Sequence, residues 1–204
     1  MDLWWALVVP AYLLGTFPTA ILVGRSQGRD PTREGSGNPG ASNTMRTMGR
    51  RAGALVLLGD LGKGAAATGL GWALGGRAVG VACGMAAILG HVVPVTRGFR
   101  GGKGVATGAG MALVVLPLPA LLLGVLWGSV TKLTGAASAG SVAVAAGLPV
   151  AAAVSGRPIG EVAAFAGCGG LVLLRHRDNI DRLRRGEEAS LRPPGPVGPG
   201  DPMG

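Results

Sequence analysis

Three polar segments of this 204-residue chain carry the side chains that could do chemistry. The first runs Gly35-Ser36-Gly37-Asn38-Pro39-Gly40-Ala41-Ser42-Asn43 and then reaches Arg46. A hydroxyl, amides and a guanidinium can together surround one anion, and the stretch reads equally well as a flexible basic loop beside a membrane. Its glycines match G-x-G-x-x-G. No strand pattern precedes them, and the acid that follows, Asp60, sits in an apolar run, so a dinucleotide fold is rejected. The second segment is Phe99-Arg100-Gly101-Gly102-Lys103-Gly104-Val105-Ala106-Thr107. Its spacing is not that of a Walker A loop, but its physics is similar. Glycines let backbone N–H groups converge on an anion, and a helix starting near Val105 adds its positive end. Lys103 supplies a point charge and Thr107 a hydroxyl. A Gly-Gly hinge with a snorkelling lysine is the alternative. Phosphate binding is favoured because the glycines, lysine and threonine coincide at a helix start.

The third segment runs from Arg175 to Glu188. Read as one helix, it places His176, Asn179, Ile180 and Leu183 within a stripe about 100° wide and turns its arginines elsewhere. A polar His–Asn pair on that stripe suggests a site, while a basic helix lying on anionic lipid explains the arginines without one. His176 and Asp181 also spell H-x-x-x-x-D. They would stand about 140° apart on the helix, too far round to act as a pair, so the match is coincidental.

The elements that must hold these segments are apolar. Hydrophobic residues make up 48 % of the chain and charged residues 14 %, which excludes a disordered protein. Two cysteines, Cys83 and Cys168, both in apolar runs, exclude a disulfide scaffold and read as small buried thiols. The net charge of +9 could suggest nucleic acid, but no aromatic platform interleaves the basic residues. Fifteen of the nineteen basic residues fall in three stretches separated by almost uncharged sequence, the pattern of basic cytoplasmic loops in a multi-pass membrane protein.

Residues 3–24 form the first expected span, with no basic region before them to suggest a signal peptide. Residues 52–72 and 78–96 follow as a second and third span, with Arg77 on the turn between them. Asp60 and Lys63 share one face of the second span, either as a functional pair or as a mutually neutralising one. His91, at the end of the third, reads as a packing residue. Residues 104–131, 133–156 and 158–174 remain. Three crossings there would leave the C-terminal arginines on the wrong side. Pro117 and Pro119 split the first of these pieces into two short helices. The expected fold is therefore an all-α membrane protein, a compact polytopic bundle of seven transmembrane segments, with five as the alternative. Its N-terminus is outside and its C-terminus cytoplasmic. Gly71-x-x-x-Gly75 and Gly80-x-x-x-Gly84 favour close helix approach. Residues 1–192 are expected to form one domain and residues 193–204 a disordered Pro/Gly tail.

Together the segments resemble the bacterial integral-membrane acyl-phosphate:glycerol-3-phosphate acyltransferases. The resemblance rests on Gly15-x-x-Pro18, the run from Gly35 to Arg46, Asp60-x-x-Lys63-Gly64, Gly90-His91-x-x-Pro94-Val95 and Gly101-Gly102-Lys103-Gly104-Val105-Ala106-Thr107. Ser138-x-x-Ser141 is a weaker match, and the stretch from His176 to Glu188 closes the series. Order and spacing hold over about 175 residues. Ser42 stands where the family usually has threonine, and position 181 is variable in it.

The resemblance implies transfer of a fatty acyl group from acyl phosphate to the 1-hydroxyl of glycerol-3-phosphate, giving lysophosphatidic acid and phosphate. This is the first step of phospholipid synthesis. It implies no cofactor and no metal. It places the protein in the bacterial plasma (inner) membrane with its site facing the cytoplasm. Membrane lipids and the enzyme supplying acyl phosphate are the expected partners, and nucleic acid is not one. Ser36, Arg46, Lys103, His176 and Asn179 are the expected catalytic residues. Asn38, Asn43, Gly101, Gly102, Gly104, Thr107, Ser141 and Glu188 are expected to bind substrate, with Glu188 ordering an arginine or contacting a glycerol hydroxyl. The base is either His176 or a substrate phosphate oxygen. A small transporter of a phosphorylated anion is the competing reading, although no internal repeat supports it.

Overall fold

The computed structural model describes residues 5–191, and the expected tail at 193–204 lies outside them. Among the described residues every regular element is helical. Helix α1 (Trp5–Gly15) and α2 (Thr19–Arg25) make up the first expected span. That span is broken in its middle. Pro18 lacks an N–H and disfavours helical geometry in the residue before it, so the chain turns at Thr16–Pro18. A polar loop then leads to α3 (Ala41–Met48).

Helix α4 (Arg50–Val92) is a hairpin rather than one rod. Gly76 has φ 83° and ψ 175°, a conformation that glycine alone adopts cheaply, and it folds the two arms against each other. The paired glycines serve this fold. A Cβ at Gly71 would press on Cys83 and Gly80, and one at Gly80 on the Thr68 carbonyl. Small residues there let the arms pack backbone to backbone, which is how membrane helices gain contact without a solvent-driven hydrophobic force. The same device seats the neighbours. Gly15 meets Ala87 and Gly90 meets Tyr12, holding α1 on the second arm.

A single 3-10 turn (Val95–Arg97) precedes the glycine loop, and α5 (Val105–Val115) follows it. Gly64 against Thr107, and Gly110 against Leu61, hold α5 on the first arm of α4. Helix α6 (Pro117–Thr134) begins at the expected proline. Helices α7 (Ala137–Val154), α8 (Ile159–Arg175) and α9 (Arg177–Arg185) are the remaining elements among the described residues. Val81, Ile88, Met111, Leu116, Leu148 and Phe165 form the central core between α4, α5, α7 and α8. No residue of α6 is buried, and its Leu118, Leu121, Leu122 and Val125 form an apolar outer face. Among the described residues four helical stretches are long and apolar enough to cross a membrane, or five if the bent pair α8–α9 counts as one.

The chain runs back and forth between two ends of this bundle. At one end Arg77, on the α4 fold, makes a bidentate pair with Glu161 at the start of α8, at 2.5 and 3.0 Å. It also donates to the Val115 carbonyl at 2.9 Å and lies 4.7 Å over the Trp72 ring. This staple ties α4, α5 and α8 together. Replacing Arg77 with leucine strands a carboxylate whose side chain is only 9 % exposed. The expected cost is about 3 kcal/mol, at the low end for a broken buried pair because Arg77 itself is 28 % exposed. Thermal unfolding in detergent checks this. Arg77→Leu combined with Glu161→Leu should recover most of the loss. At the other end the three polar segments meet.

Candidate active site

The first loop is shaped by Asn43, on the first turn of α3. Its Oδ1 accepts the Ser36 N–H at 2.9 Å, and its Nδ2 donates to the carbonyls of Pro31 and Glu34, both at 3.0 Å. Gly35 (φ 59°) and Gly37 (φ 68°) permit the tight path around it. Asn43 is buried behind the loop, and it does not line the cavity. Ser36, Asn38 and Arg46 are what this segment presents to the cavity.

The glycine loop lies directly on the end of α4. The Gly102 N–H donates to the His91 carbonyl at 3.1 Å, and Arg175 Nη2 donates to the Gly101 carbonyl at 3.2 Å. Gly104, at φ 85°, caps α5. The first turn of that helix leaves N–H groups without helical carbonyl partners, so its positive end faces the loop. Thr107 is fully buried in this turn, its hydroxyl without a hydrogen-bond partner among the described residues.

The third segment differs from one continuous helix. The chain bends by 58° between α8 and α9, with His176 at the bend. Helix α9 ends at Gly186 (φ 71°), so Glu187 and Glu188 leave the helix and turn back. His176 is 3 % exposed. Its Nδ1 donates to the Val172 carbonyl at 2.8 Å, which leaves the lone pair on Nε2. Burial pushes its imidazole down to about 4, with the Lys103 charge adding to the effect, so it is neutral at pH 7. Asp181 is exposed and pairs with Arg184 at 3.6 Å, away from His176.

Asn179 joins the second and third segments. Its Oδ1 accepts from Lys103 Nζ, and its Nδ2 donates to Glu188 Oε1 at 2.5 Å. The other Glu188 oxygen accepts from Arg182 Nε at 2.8 Å. Burial opposes charge on Glu188, but these donors outweigh it and hold the carboxyl below its ordinary value. The same returning strap closes on the first loop and on the α6–α7 turn. Arg46 Nη1 donates to the Ala189 carbonyl at 3.4 Å, and the Leu191 N–H to the Gly135 carbonyl at 2.9 Å.

These parts enclose a cavity of about 1660 Å³. Of the expected residues, Ser36, Asn38, Arg46, Gly101, Lys103 and Asn179 line it. Gly102 lines a small recess beside it. Gly104, Thr107, His176 and Glu188 stand behind the wall. Ser141 is not brought to the cavity. Its hydroxyl donates to the Ala137 carbonyl at 2.9 Å and accepts from Trp127 Nε1 at 3.2 Å, within the α6–α7 contact.

Nine basic side chains from all three segments line the cavity, against the acids Asp30, Asp178 and Glu187. Arg97 and Arg182 are among them, though neither is an expected site residue from the sequence. Both lie in basic runs, and tertiary contact brings them to a common cavity. Phe17, Leu13 and Leu174 supply an apolar edge to the same cavity. Among the described residues no cluster of His, Cys, Asp and Glu could hold a metal ion.

The family model for glycerol-3-phosphate acyltransferase matches residues 5–186. The chain belongs to the glycerol-3-phosphate acyltransferase family. It is 44 % identical to the glycerol-3-phosphate acyltransferase of Rubrobacter xylanophilus, over 89 % of this chain and 92 % of that protein. It is 40 % identical to that of Syntrophomonas wolfei, over 91 % of this chain and 96 % of that one. Its fold matches the crystal structure of PlsY (YgiH), an integral membrane glycerol 3-phosphate acyltransferase, in the glycerol 3-phosphate form. The TM-score is 0.88 at 34 % identity, covering 92 % of this chain and 94 % of that one. The lysophosphatidic acid form of PlsY matches with a TM-score of 0.86. This member of the glycerol-3-phosphate acyltransferase family is a membrane protein, helical throughout its regular elements among the described residues, and its fold matches that of integral membrane PlsY.

Proposed function

We propose that the protein transfers a fatty acyl group from acyl phosphate to the 1-hydroxyl of glycerol-3-phosphate. The observation that carries this reading is the convergence of Ser36, Arg46, Lys103 and Asn179, from three separate segments, on one strongly basic cavity with an apolar edge. Both substrates are phosphorylated, and one has a long apolar tail. The cavity suits both properties.

The glycine loop, Lys103 and the open end of α5 hold the phosphate of the acyl donor. Arg46, Ser36 and Asn38 orient glycerol-3-phosphate across from it. The glycerol oxygen attacks the acyl carbonyl carbon, a new C–O ester bond forms, and the bond from carbonyl carbon to phosphate oxygen breaks. Acyl phosphate is a mixed anhydride whose leaving group is already stable as an anion. Positioning and charge stabilisation therefore suffice, and no covalent enzyme intermediate is required. Both cysteines are buried free thiols away from the cavity lining, which agrees with direct transfer. A substrate phosphate oxygen takes the hydroxyl proton. Phosphate monoesters titrate near pH 6, whereas His176 is held near 4 and stands behind the wall, so it is the weaker base. Glu188 contacts no substrate in this scheme. It fixes the Asn179 amide, turning Oδ1 toward Lys103.

Seven apolar helical passages between the two ends of the bundle fit seven membrane crossings, counting the two arms of α4 separately and α5 as a short one. Because the basic segments all gather at the cavity end, the positive-inside rule puts the cavity on the cytoplasmic side of the bacterial inner membrane and the N-terminus outside.

Lys103 must be charged to hold phosphate. Burial pushes its ammonium down to about 8, with Arg182, Arg175 and Arg46 adding to the effect and Glu188 opposing it. The charged form is present below that pH and lost above it. In the substrate-free enzyme, kcat/KM is therefore expected to fall about tenfold per pH unit above about pH 8. A bound phosphate dianion stabilises the ammonium, so the same limb in kcat moves to higher pH. A kcat/KM profile that stays flat through this range would show that the Lys103 charge is dispensable.

The donor is tested with purified protein, glycerol-3-phosphate and either palmitoyl phosphate or palmitoyl-CoA, following lysophosphatidic acid and phosphate. Turnover with palmitoyl phosphate alone is expected. Turnover only with palmitoyl-CoA would overturn the donor assignment. Turnover with neither, in folded protein, would overturn the enzyme reading.

A further inference from the structure

Asp60, Lys63 and His91 face one another inside the bundle, and all three are buried. Asp60 Oδ1 pairs with Lys63 Nζ at 2.9 Å and lies 3.6 Å from His91 Nδ1. Lys63 Nζ also donates to the Phe17 carbonyl at 3.2 Å, at the corner where the first span breaks. On the far side, His91 supports the glycine loop twice. Its carbonyl accepts the Gly102 N–H, and its ring lies so close that a Cβ at Gly102 would overlap Nε2. A recess of about 10 Å³, bounded by these side chains and Gly102, shares Thr16, Phe17, Pro18, Pro39 and Arg97 with the large cavity. One carboxylate is thus linked to two walls of the site.

We propose that Asp60, Lys63 and His91 are positioning residues for acyl transfer, setting the height of the Gly101–Lys103 loop against the Phe17–Pro18 corner. This rests on the reading of that loop as the phosphate-holding element. Buried ion pairs add little to stability compared with apolar side chains of similar volume, so stability alone is a weak reason for placing one here. Geometry is a better one. A carboxylate facing Nδ1 favours the proton on that nitrogen and fixes the plane of the ring. The ring is then a rigid platform beneath Gly102. Lys63 neutralises Asp60, which would otherwise repel a phosphate held on the loop above. It also locks the corner through Phe17. None of the three groups needs to touch substrate.

The test uses the full chain in detergent, with both substrates varied. Asp60→Leu with Lys63→Met replaces the pair by apolar side chains, a change that buried pairs commonly tolerate. His91→Phe keeps a planar ring but loses the contact with Asp60. In both variants the melting temperature should be retained. The kcat/KM for acyl phosphate should fall about 10–100-fold, the scale of a displacement near 1 Å, while KM for glycerol-3-phosphate stays near wild type. Hydrogen exchange at the Gly102 amide should accelerate. Wild-type kinetics and exchange in the folded double variant would overturn the proposal, as would an equal rise in KM for both substrates. If the double variant does not fold, Asp60→Asn gives the same readouts. If the wild type does not use acyl phosphate, the reading of the loop has failed instead, and Gly102 exchange alone still decides whether the cluster holds the loop.

Discussion

Replacing Lys103 by methionine is expected to lower kcat/KM by about 10²–10³-fold in protein that remains folded. Methionine has a similar length and no charge. Lys103 is already largely desolvated, so removing its ammonium relieves a burial cost while leaving Asn179 still held by Glu188. The loss therefore falls on the transition state, where negative charge shifts onto the departing phosphate. Arginine should restore only part of the rate, because a planar fork cannot occupy the position of a compact ammonium beside Asn179 Oδ1. Lysophosphatidic acid formation and phosphate release, measured together, check this. Near-wild-type turnover in Lys103→Met would remove the glycine loop from the mechanism.

Alanine at Gly101 should be nearly as damaging, for a different reason. Gly101 does not have positive φ, so backbone strain is not the issue. This glycine packs directly on the C-terminal end of α4. A Cβ would overlap the carbonyl oxygens of both His91 and Val92. Backbone atoms cannot swing aside as a flexible side chain can, so the loop must lift. Overpacking of this kind costs about 1–3 kcal/mol, and a shift of Lys103 near 1 Å costs about 10²-fold in rate. Gly62→Ala, on the exposed side of α4 with nothing within 4 Å of a new Cβ, is the control. It should keep full activity and gain slightly in helix stability. Thermal unfolding and steady-state kinetics on both variants separate the two cases. Equal activity in Gly101→Ala would mean that the loop tolerates displacement.

Much of the candidate site was legible in the sequence because its chemistry is local. The glycine loop reads as an anion cradle from the coincidence of glycines, Lys103 and a helix start, and the structure places α5 where that reading needs it. The stripe of His176, Asn179, Ile180 and Leu183 also emerges on the inner side. Asn43 and Ser141 show the limit. Each is a polar residue in a matching motif, but the first is consumed in shaping a loop and the second in a contact between helices. Which of these a polar side chain does depends on the atoms beside it, and composition carries no record of them.

Apolar runs and prolines determined by themselves that the chain is a bundle of membrane-length helices with its charge in three places. That follows from the cost of leaving backbone polar groups or charges in lipid, which acts on each segment separately. Pro117 marked the start of α6 for the same local reason. The turn near Gly76 was also legible, as the gap between two apolar runs. Only the tertiary structure decided which residues meet across that turn and what meets at the basic end. The packing of the hairpin depends on Gly71 meeting Cys83 and Gly80 meeting Thr68, each twelve residues away, and the break at Thr16–Pro18 opens a carbonyl that Lys63 then uses. The strap beyond Gly186 turns Glu188 back onto Asn179 and joins Ala189 to Arg46 across most of the chain length. These contacts depend on three-dimensional closure, so no pattern along the sequence could specify them.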